Sequence, residues 1–295
     1  MITLLQQMVN GLSLGATYAV FAIGFTLIFG VLNVLNMAQG AVFMWGAYIG
    51  LAAVSQMHLP LPAALAVAMI SSGLLGVLTE LLVFRPLRRK DAHRWMGLVA
   101  SLALARILVA LAQEVFGTQV VRYPEIPSLA VAWDIGGVRL QLLQLVISGI
   151  AVALMIALAL LLQRSRVGRA IRTVAFNPKV AQMVGISVNA TTLATFFLSG
   201  ALAGAAGVLL GLLFNAVSPF MGEMVLLKGL TVLILGGLGN VPGAMAGGFI
   251  LGVVEVFSIG YVSSAFRDAI GFGLVFIILL VKPAGLFGRS EEARA

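Results

Sequence analysis

The most constraining feature of this sequence is the length of its uncharged stretches. No Asp, Glu, Lys or Arg precedes Glu80, and none lies between Lys179 and Glu223. A bilayer core about 30 Å thick is crossed by roughly 20 apolar residues in helical form. Charged residues make up 9 % of the chain, whereas soluble domains carry about 25 %. We therefore predict that lipid is the main solvent of this protein.

The apolar segments are continuous and lack the alternation of apolar and polar residues that a transmembrane β-barrel requires. They lie at about 8–31, 41–56, 60–84, 95–116, 140–162, 191–213, 225–235, 244–259 and 269–281. We predict an all-α polytopic membrane protein in which residues 1–295 form a single transmembrane domain. Because the 225–235 segment is short enough to be one limb of a re-entrant hairpin, we expect eight or nine crossings, some of them discontinuous or re-entrant.

The distribution of basic residues predicts the orientation. Residues 85–94 and 164–179 each contain five Lys or Arg residues, whereas the 117–139 segment has two charges of each sign. Short loops rich in Lys and Arg remain in the cytoplasm. We predict cytoplasmic loops at 85–94 and 164–190, a periplasmic loop at 117–139, a periplasmic N-terminus and a cytoplasmic C-terminus in a bacterial inner membrane.

The inventory of reactive side chains argues against an enzyme. The chain has two histidines, no cysteine and no G-x-x-x-x-G-K-[ST] sequence, which is the loop that holds nucleotide phosphates in P-loop ATPases. We predict no catalytic residue, no metal and no cofactor, and any ATP hydrolysis that drives this protein would occur on another chain. The basic residues lie in clusters between apolar segments rather than along one polar face, so we expect no nucleic-acid partner.

Arg106 and Glu255 are charged residues inside apolar segments, where charges are costly and therefore informative. Arg106 lies in the fourth segment, and Glu255 lies in the 244–259 segment. Arg106 is expected to pair with Glu80 or with a backbone carbonyl, and Glu255 is expected to pair within the helix bundle. The alternative is that one of these residues lines a translocation pathway. In a secondary transporter, Glu255 would be the coupling carboxylate. A passive channel is a third possibility.

Two interrupted segments, 26–41 and 231–244, resemble each other weakly in their Thr, Gly and Asn residues. Discontinuous helices in related halves of a transporter often place backbone groups at a substrate site, although small residues also simply allow helices to pack closely. We expect Gly40 and Gly243 to tolerate substitution less well than Gly46 and Gly73. The predicted pathway residues are Asn33, Asn36, Gln39, Gly40, Gly239, Asn240 and Gly243.

Three blocks of the sequence resemble the permeases of branched-chain amino acid (LIV-type) ABC importers. They comprise residues 10–19 with 24–30 and 35–40, residues 165–172 with 184–186, and residues 235–244 with 261–265 and 282–288. Met37 and Gln39 depart from the common form of the first block. The resemblance implies import of branched-chain or related small amino acids, with a second homologous or identical permease, two ATP-binding subunits and a periplasmic substrate-binding protein. Related permeases that serve urea, short amides or other small solutes leave an alternative substrate open.

The 164–190 segment is the predicted contact with the ATP-binding subunits. Phe176, Val180 and Met183 recur at intervals of four and three residues, so a helix would carry them on one face. Lys179 would lie near the rim of that face, and Gly185 would end the helix. A basic loop held at anionic lipid headgroups is the alternative interpretation.

Overall fold

The computed structural model describes residues 2–90, 93–124, 131–135 and 137–288, and this part of the chain is almost entirely helical. The helices are α1 (Ile2–Leu32), α2 (Gln39–Ser55), α3 (Leu61–Thr79), α4 (Arg85–Arg89), α5 (Arg94–Phe116), α6 (Leu142–Arg164), α7 (Arg166–Phe176), α8 (Pro178–Met183), α9 (Val188–Phe214), α10 (Met221–Gly236), α11 (Val241–Tyr261) and α12 (Arg267–Val281). A two-stranded antiparallel hairpin, β1 (Ala132–Ile135) and β2 (Val138–Gln141), precedes α6.

The helix lengths confirm the predicted membrane class. Seven helical segments of the described chain contain at least 18 residues and are apolar enough to cross a membrane. Each of the nine apolar segments found in the sequence contains a helix. α2 and α10 are shorter, with 17 and 16 residues, and α12 reaches 18 residues only together with the 3-10 turn Ser264–Phe266 that precedes it. Large apolar side chains face outward on α3, α5, α6 and α12. An apolar exterior is the arrangement that a lipid environment requires.

The helix core is held together by close backbone approaches at small residues. Along the antiparallel pair α1 and α11, a Cβ atom on Gly11 would lie 2.8 Å from Cα of Val253, and one on Gly15 would lie 2.8 Å from Cα of Phe249. Such separations leave no space for a side chain, so the glycines set the distance between these two helices. Most residues of α1 from Gly11 to Ile28 are consequently buried, which makes α1 the central helix of the bundle.

The first interrupted segment is discontinuous, as predicted. α1 ends at Leu32, where Asn33 adopts a left-handed conformation with φ of 53°. The chain then runs without regular structure to Gln39 and begins α2 beside Ser199, the twelfth residue of the 27-residue helix α9. At 1.5 Å per residue, this point lies about 17 Å from the start of α9. α2 therefore begins deep inside the bundle and not at its end.

All three predicted loops contain regular secondary structure. Residues 85–89 are helical and continue α3 through a π-helical turn at Glu80–Phe84, because arginine is a good helix former and Arg88 reaches back to Glu80. The 164–190 segment consists mainly of the helices α7 and α8. The predicted 117–139 loop contains β1 and the start of β2, and for this reason α6 begins at Leu142. Residues 91–92, 125–130 and 136 of these loops lie outside the described chain.

Candidate translocation site

The predicted pathway residues Asn36 and Gln39 are buried and fix the start of α2. The Gln39 side-chain amide donates hydrogen bonds to the backbone oxygen of Ser199 at 3.0 Å and to its hydroxyl oxygen at 2.9 Å. The Ser199 hydroxyl in turn donates to the backbone oxygen of Gly24 at 2.6 Å. Asn36 accepts from the backbone N–H of Ala38 at 3.1 Å. These hydrogen bonds connect α1, α2 and α9, and they satisfy polar groups that would be costly to bury alone.

The second predicted set, Gly239 to Gly243, lies at the turn between α10 and α11. Asn240 caps α11 by accepting from the backbone N–H of Gly243 at 3.2 Å, and it donates to the backbone oxygen of Phe287 at 2.6 Å. A Cβ atom on Gly243 would clash with the backbone of Gly236, so the turn needs glycine here. Asn240 is therefore engaged in the fold of the turn itself.

The structure separates the seven predicted pathway residues into two groups. Gly40 contacts Gly222 at the start of α10, whereas Gly243 contacts Gly236 at its end. Fourteen helical residues separate these contacts, which corresponds to about 21 Å along α10.

The other predicted residues fall into the same two groups. Asn33 lies at the same end of the bundle as Gly239, and Gly239 approaches Gly30, which lies one helical turn before Asn33. Asn36, Gln39 and Gly40 share the deeper location, and the structure does not bring all seven residues into a single site.

An ion pair between Arg106 and Glu223 lies beside the deeper group. Arg106 of α5 donates a hydrogen bond to the carboxylate of Glu223 in the first turn of α10. The pair borders a cavity of about 250 Å³ that is otherwise lined mainly by apolar side chains and glycine backbone. The predicted pairing of Arg106 with Glu80 is wrong, because Glu80 is buried on another helix and bonds Arg88 at 2.6 Å. The sequence signal for Glu223 was its position as the first charge after a long uncharged stretch.

Glu255 lies in a buried charge network that joins four helices. Its carboxylate accepts hydrogen bonds from Lys228 of α10, from Arg267 of α12 at 2.7 and 2.9 Å and from the Tyr18 hydroxyl of α1 at 3.0 Å. Lys228 also pairs with Asp268 at 3.1 Å. Two cations and two carboxylates therefore balance within the network. This arrangement agrees with the structural interpretation of Glu255, whose partners could not be read from the sequence.

Arg88 connects the π-helical turn before α4 to the start of α9. Glu80 is fully buried and bonds Arg88 at 2.6 Å, and Arg88 also donates to the side chain of Asn189 at 3.2 Å. Asn189 is the second residue of α9 and follows the α7–α8 segment closely in the chain. Movement of α8 relative to the bundle would therefore act on the same helix end that Arg88 holds.

The predicted contact segment with the ATP-binding subunits is exposed, although its geometry differs from the prediction. Phe176 ends α7 and Val180 lies in α8, and the two helices are separated by Asn177, whose extended backbone breaks the helical repeat. The prediction of one continuous helical face is wrong for this reason. Phe176 and Met183 are nevertheless 88 % and 85 % exposed, and Gly185 ends the segment with a left-handed φ of 78°.

Tyr123 anchors the segment between α5 and α6 to the bundle. Its hydroxyl donates to the backbone oxygen of Ala47 at 3.0 Å, and its N–H donates to the side chain of Asn215 at 3.0 Å. Burial raises the pKa of the Tyr123 hydroxyl well above its usual value, so the group remains a proton donor at physiological pH. These contacts fix the segment to the middle of α2 and to the C-terminal end of α9.

The helix bundle and its charged groups define a class of protein. The described residues contain no group of three His, Cys, Asp or Glu side chains that could hold a metal ion. What they do contain is a bundle of apolar helices with discontinuous segments, an ion pair beside a half-open cavity and an exposed interhelical segment. Such a bundle can provide a path for a solute, and a partner protein that binds the exposed segment can change its conformation. These are the features of a multi-pass membrane permease.

Comparison with known proteins identifies the family. Residues 7–280 match the family model described as branched-chain amino acid transport system / permease component, and the chain belongs to this family. It is 34 % identical to the high-affinity branched-chain amino acid transport system permease protein BraD of Pseudomonas aeruginosa, over 97 % of this chain and 96 % of the relative. The corresponding protein LivH of Escherichia coli is 35 % identical over the same shares.

More distant comparisons agree with the fold. A probable branched-chain amino acid transport permease protein LivH of Methanocaldococcus jannaschii is 30 % identical over 90 % of this chain and 87 % of the relative. Among solved structures, a chain of PsaBC from Streptococcus pneumoniae in complex with Fab matches with a TM-score of 0.51. That match covers 97 % of this chain and 94 % of the other at 12 % identity, so it supports the shared fold alone.

Proposed function

We propose that this chain is the permease subunit of an ATP-driven importer of branched-chain amino acids. In this proposal it works with two ATP-binding subunits, a second homologous or identical permease and a periplasmic substrate-binding protein. It lies in a bacterial inner membrane as a single transmembrane domain, with its N-terminus in the periplasm and its C-terminus in the cytoplasm. The names of the relatives support branched-chain amino acids over urea or short amides as the substrate class.

The observation that carries the ATP-driven mechanism is the exposed apolar surface between α6 and α9. Phe176, Val180 and Met183 expose 88 %, 44 % and 85 % of their surfaces, and Ala181 on the opposite side of α8 is fully buried. Exposed apolar side chains on a short helix that is anchored to the bundle are typical of a protein contact. Because α9 follows α8 after a four-residue connection, force applied to α8 is transmitted to a long central helix.

The surroundings of Glu255 argue against the secondary-transport alternative. A coupling carboxylate must gain and lose a proton or an ion during each cycle. Glu255 is 1 % exposed and contacts both Lys228 and Arg267. Both cations already bond its carboxylate, so the carboxylate is not open to a coupling ion. In the proposed mechanism the energy comes instead from closure of the ATP-binding subunits, which selects between two conformations of the permease.

Replacing Val180 or Met183 by Asp should abolish transport. A carboxylate on the apolar surface would have to be desolvated in the contact with the ATP-binding subunit, and it would weaken that contact by several kcal/mol. The measurement is ATP-dependent leucine uptake, together with ATP hydrolysis stimulated by the binding protein, in vesicles that contain the assembled complex. Both activities should be lost while membrane levels of the permease are unchanged.

Two control variants separate this effect from a general effect of charge. Gln182→Asp places the same carboxylate on α8 at an exposed polar position, and Arg166→Ala removes a charge from exposed α7. Both should keep most of the transport activity. Normal uptake and assembly in the two apolar variants would mean that the ATP-binding subunits contact another part of the permease, and the 85–94 segment would be the next candidate.

The orientation can be tested by labelling single cysteines, because the chain has no cysteine of its own. Val120 is 59 % exposed near the end of α5, and Gln182 is exposed on α8. A membrane-impermeant maleimide should label Val120→Cys in intact cells and should label Gln182→Cys only after permeabilisation. The opposite pattern would invert the proposed topology. Ser128 and Ala92, which the loop predictions also suggest for labelling, lie outside the described residues.

A further inference from the structure

The ion pair of Arg106 and Glu223 is placed where a purely structural pair would be unfavourable. Arg106 is the thirteenth of the 23 residues in α5, about 18 Å from the start of the helix. The side chains of Arg106 and Glu223 are 63 % and 45 % exposed in the isolated chain. A charged group at this depth costs several kcal/mol when it faces lipid. This face of α5 and α10 must therefore border protein or water in the assembled transporter.

The pair also retains unused hydrogen-bonding capacity. Within the described part of the chain, the Arg106 guanidinium donates one side-chain hydrogen bond, to one oxygen of Glu223. A guanidinium has five N–H donors and a carboxylate has about four acceptor positions. The network around Glu255 differs in this respect, because the Glu255 side chain is almost fully buried and contacts three donor side chains. Arg106 and Glu223 can therefore bind a charged ligand without breaking a network of buried hydrogen bonds.

The adjoining cavity has the size and the surface for a small aliphatic group. Its volume of about 250 Å³ lies just below the range of about 300–1,000 Å³ that is typical of small-molecule sites. Apart from the ion pair, the lining is apolar or is glycine backbone. The side chains that form its apolar wall are Met37, Leu102, Val109, Leu226 and Leu227.

We propose that Arg106 and Glu223 form a site in the translocation pathway that receives the two charged groups of an amino acid, an inference that rests on the proposed import function. The Arg106 guanidinium binds the α-carboxylate through two N–H groups, in the geometry that arginine offers to carboxylates. The Glu223 carboxylate accepts from the α-ammonium group. The aliphatic side chain of the amino acid enters the apolar cavity.

Charge balance favours replacement of the Arg106–Glu223 ion pair by two ion pairs with the substrate, even deep in the membrane. A zwitterion brings one positive and one negative charge, so the site contains equal numbers of both signs before and after binding. One ion pair is exchanged for two, and no net charge is transferred into the low-dielectric region. Urea and short amides carry no opposite charges to separate the pair, and an acidic or basic side chain would be unpaired in the apolar cavity. The site therefore selects neutral, zwitterionic amino acids with apolar side chains.

The test uses the assembled complex in vesicles, with its binding protein and radiolabelled leucine, and measures leucine imported per ATP hydrolysed. The double variant Arg106→Met with Glu223→Met leaves no unpaired charge, and replacing an ion pair by apolar residues is usually tolerated structurally. We expect it to reach the membrane at the normal level and to lower this ratio by about tenfold or more, because the charge-assisted hydrogen bonds to the substrate are lost. Glu114→Gln, on the same helix but away from the cavity lining, should leave the ratio unchanged.

A second variant provides an independent test. Arg106→Lys keeps the charge and the ion pair but loses the planar guanidinium that binds a carboxylate through two N–H groups. The amount of leucine imported per ATP hydrolysed should therefore again fall by about tenfold. A normal ratio in either variant would overturn the proposed site while leaving the import function intact. Leucine uptake by the unmodified complex that does not depend on ATP would instead contradict the proposed function itself. A structural role alone would lower uptake and ATP hydrolysis together, and that result would also overturn the site.

Discussion

Replacing Glu255 by Ala is expected to destabilise the folded permease by about 3–5 kcal/mol, because the mostly buried cations Lys228 and Arg267 lose their shared carboxylate. Arg267 would lose two hydrogen bonds to the carboxylate and, among the described residues, retain only the Tyr18 hydroxyl as a side-chain partner. Lys228 would retain Asp268. The measurement is the midpoint of thermal unfolding of the detergent-solubilised complex, which should fall well below that of the unmodified protein.

A compensating variant distinguishes charge imbalance from loss of packing. Glu255→Leu combined with Arg267→Leu removes both members of one buried pair and preserves the contact of Lys228 with Asp268. Because apolar residues of similar size often replace a buried ion pair without loss, this double variant should recover most of the lost stability. If the single Ala variant unfolds at the normal temperature, the network does not stabilise the bundle, and a functional role for Glu255 would have to be considered again.

Replacing Gly40 by Ala should lower both stability and transport, although the substitution adds only one methyl group. A Cβ atom at this position would clash with the backbone oxygen of Gly222 and lie 3.0 Å from its carbonyl carbon. The N-terminal turns of α2 and α10 would have to separate, at a cost of about 1–3 kcal/mol for overpacking. The same displacement would distort the cavity beside Arg106, which Gly40 also lines. Thermal unfolding and leucine uptake measure the two effects.

The control for Gly40 has to be chosen from the structure. A Cβ atom on Gly149 of α6 would have no neighbouring atom within 4 Å, so Gly149→Ala should be neutral or stabilise the helix by about 0.5–1 kcal/mol. Gly46 and Gly73, which the sequence suggested as tolerant positions, are unsuitable. A Cβ atom on Gly46 would lie 2.8 Å from the Ser72 hydroxyl oxygen, and one on Gly73 would lie 2.7 Å from the Phe197 ring. Equal effects of the Gly40 and Gly149 variants would contradict the close-packing argument.

The sequence predicted the elements of the fold more accurately than their contacts. The nine apolar segments, the break before α2 and the left-handed Gly185 follow from hydrophobicity and local backbone preference, and the structure contains all three. The helices at 85–89 and 166–176 were not predicted, because a run of arginines is equally compatible with a loop and with a helix whose charged side chains reach polar surroundings.

The candidate site could be predicted only in part, because its contacts join residues that are distant in the sequence. Gln39 and Gly40 were correctly associated with the interrupted segment, but their nearest partners, Ser199 and Gly222, are far away in the chain. No local pattern indicates that Arg106 on α5 meets Glu223 at the start of α10. Charges inside apolar segments identify residues that need a partner, but they do not identify the partner.

The sequence by itself determined that this chain is a helical membrane protein, where its apolar helices lie and to which permease family it is similar, because hydrophobicity and motif spacing are properties of neighbouring residues. Only the tertiary structure decided which charges pair and which glycines allow backbones to meet. Those contacts join helices that are distant in sequence, such as α1 with α11 through Gly15 and Phe249. They depend on helix packing in three dimensions, where a single Cβ atom decides whether two helices can approach.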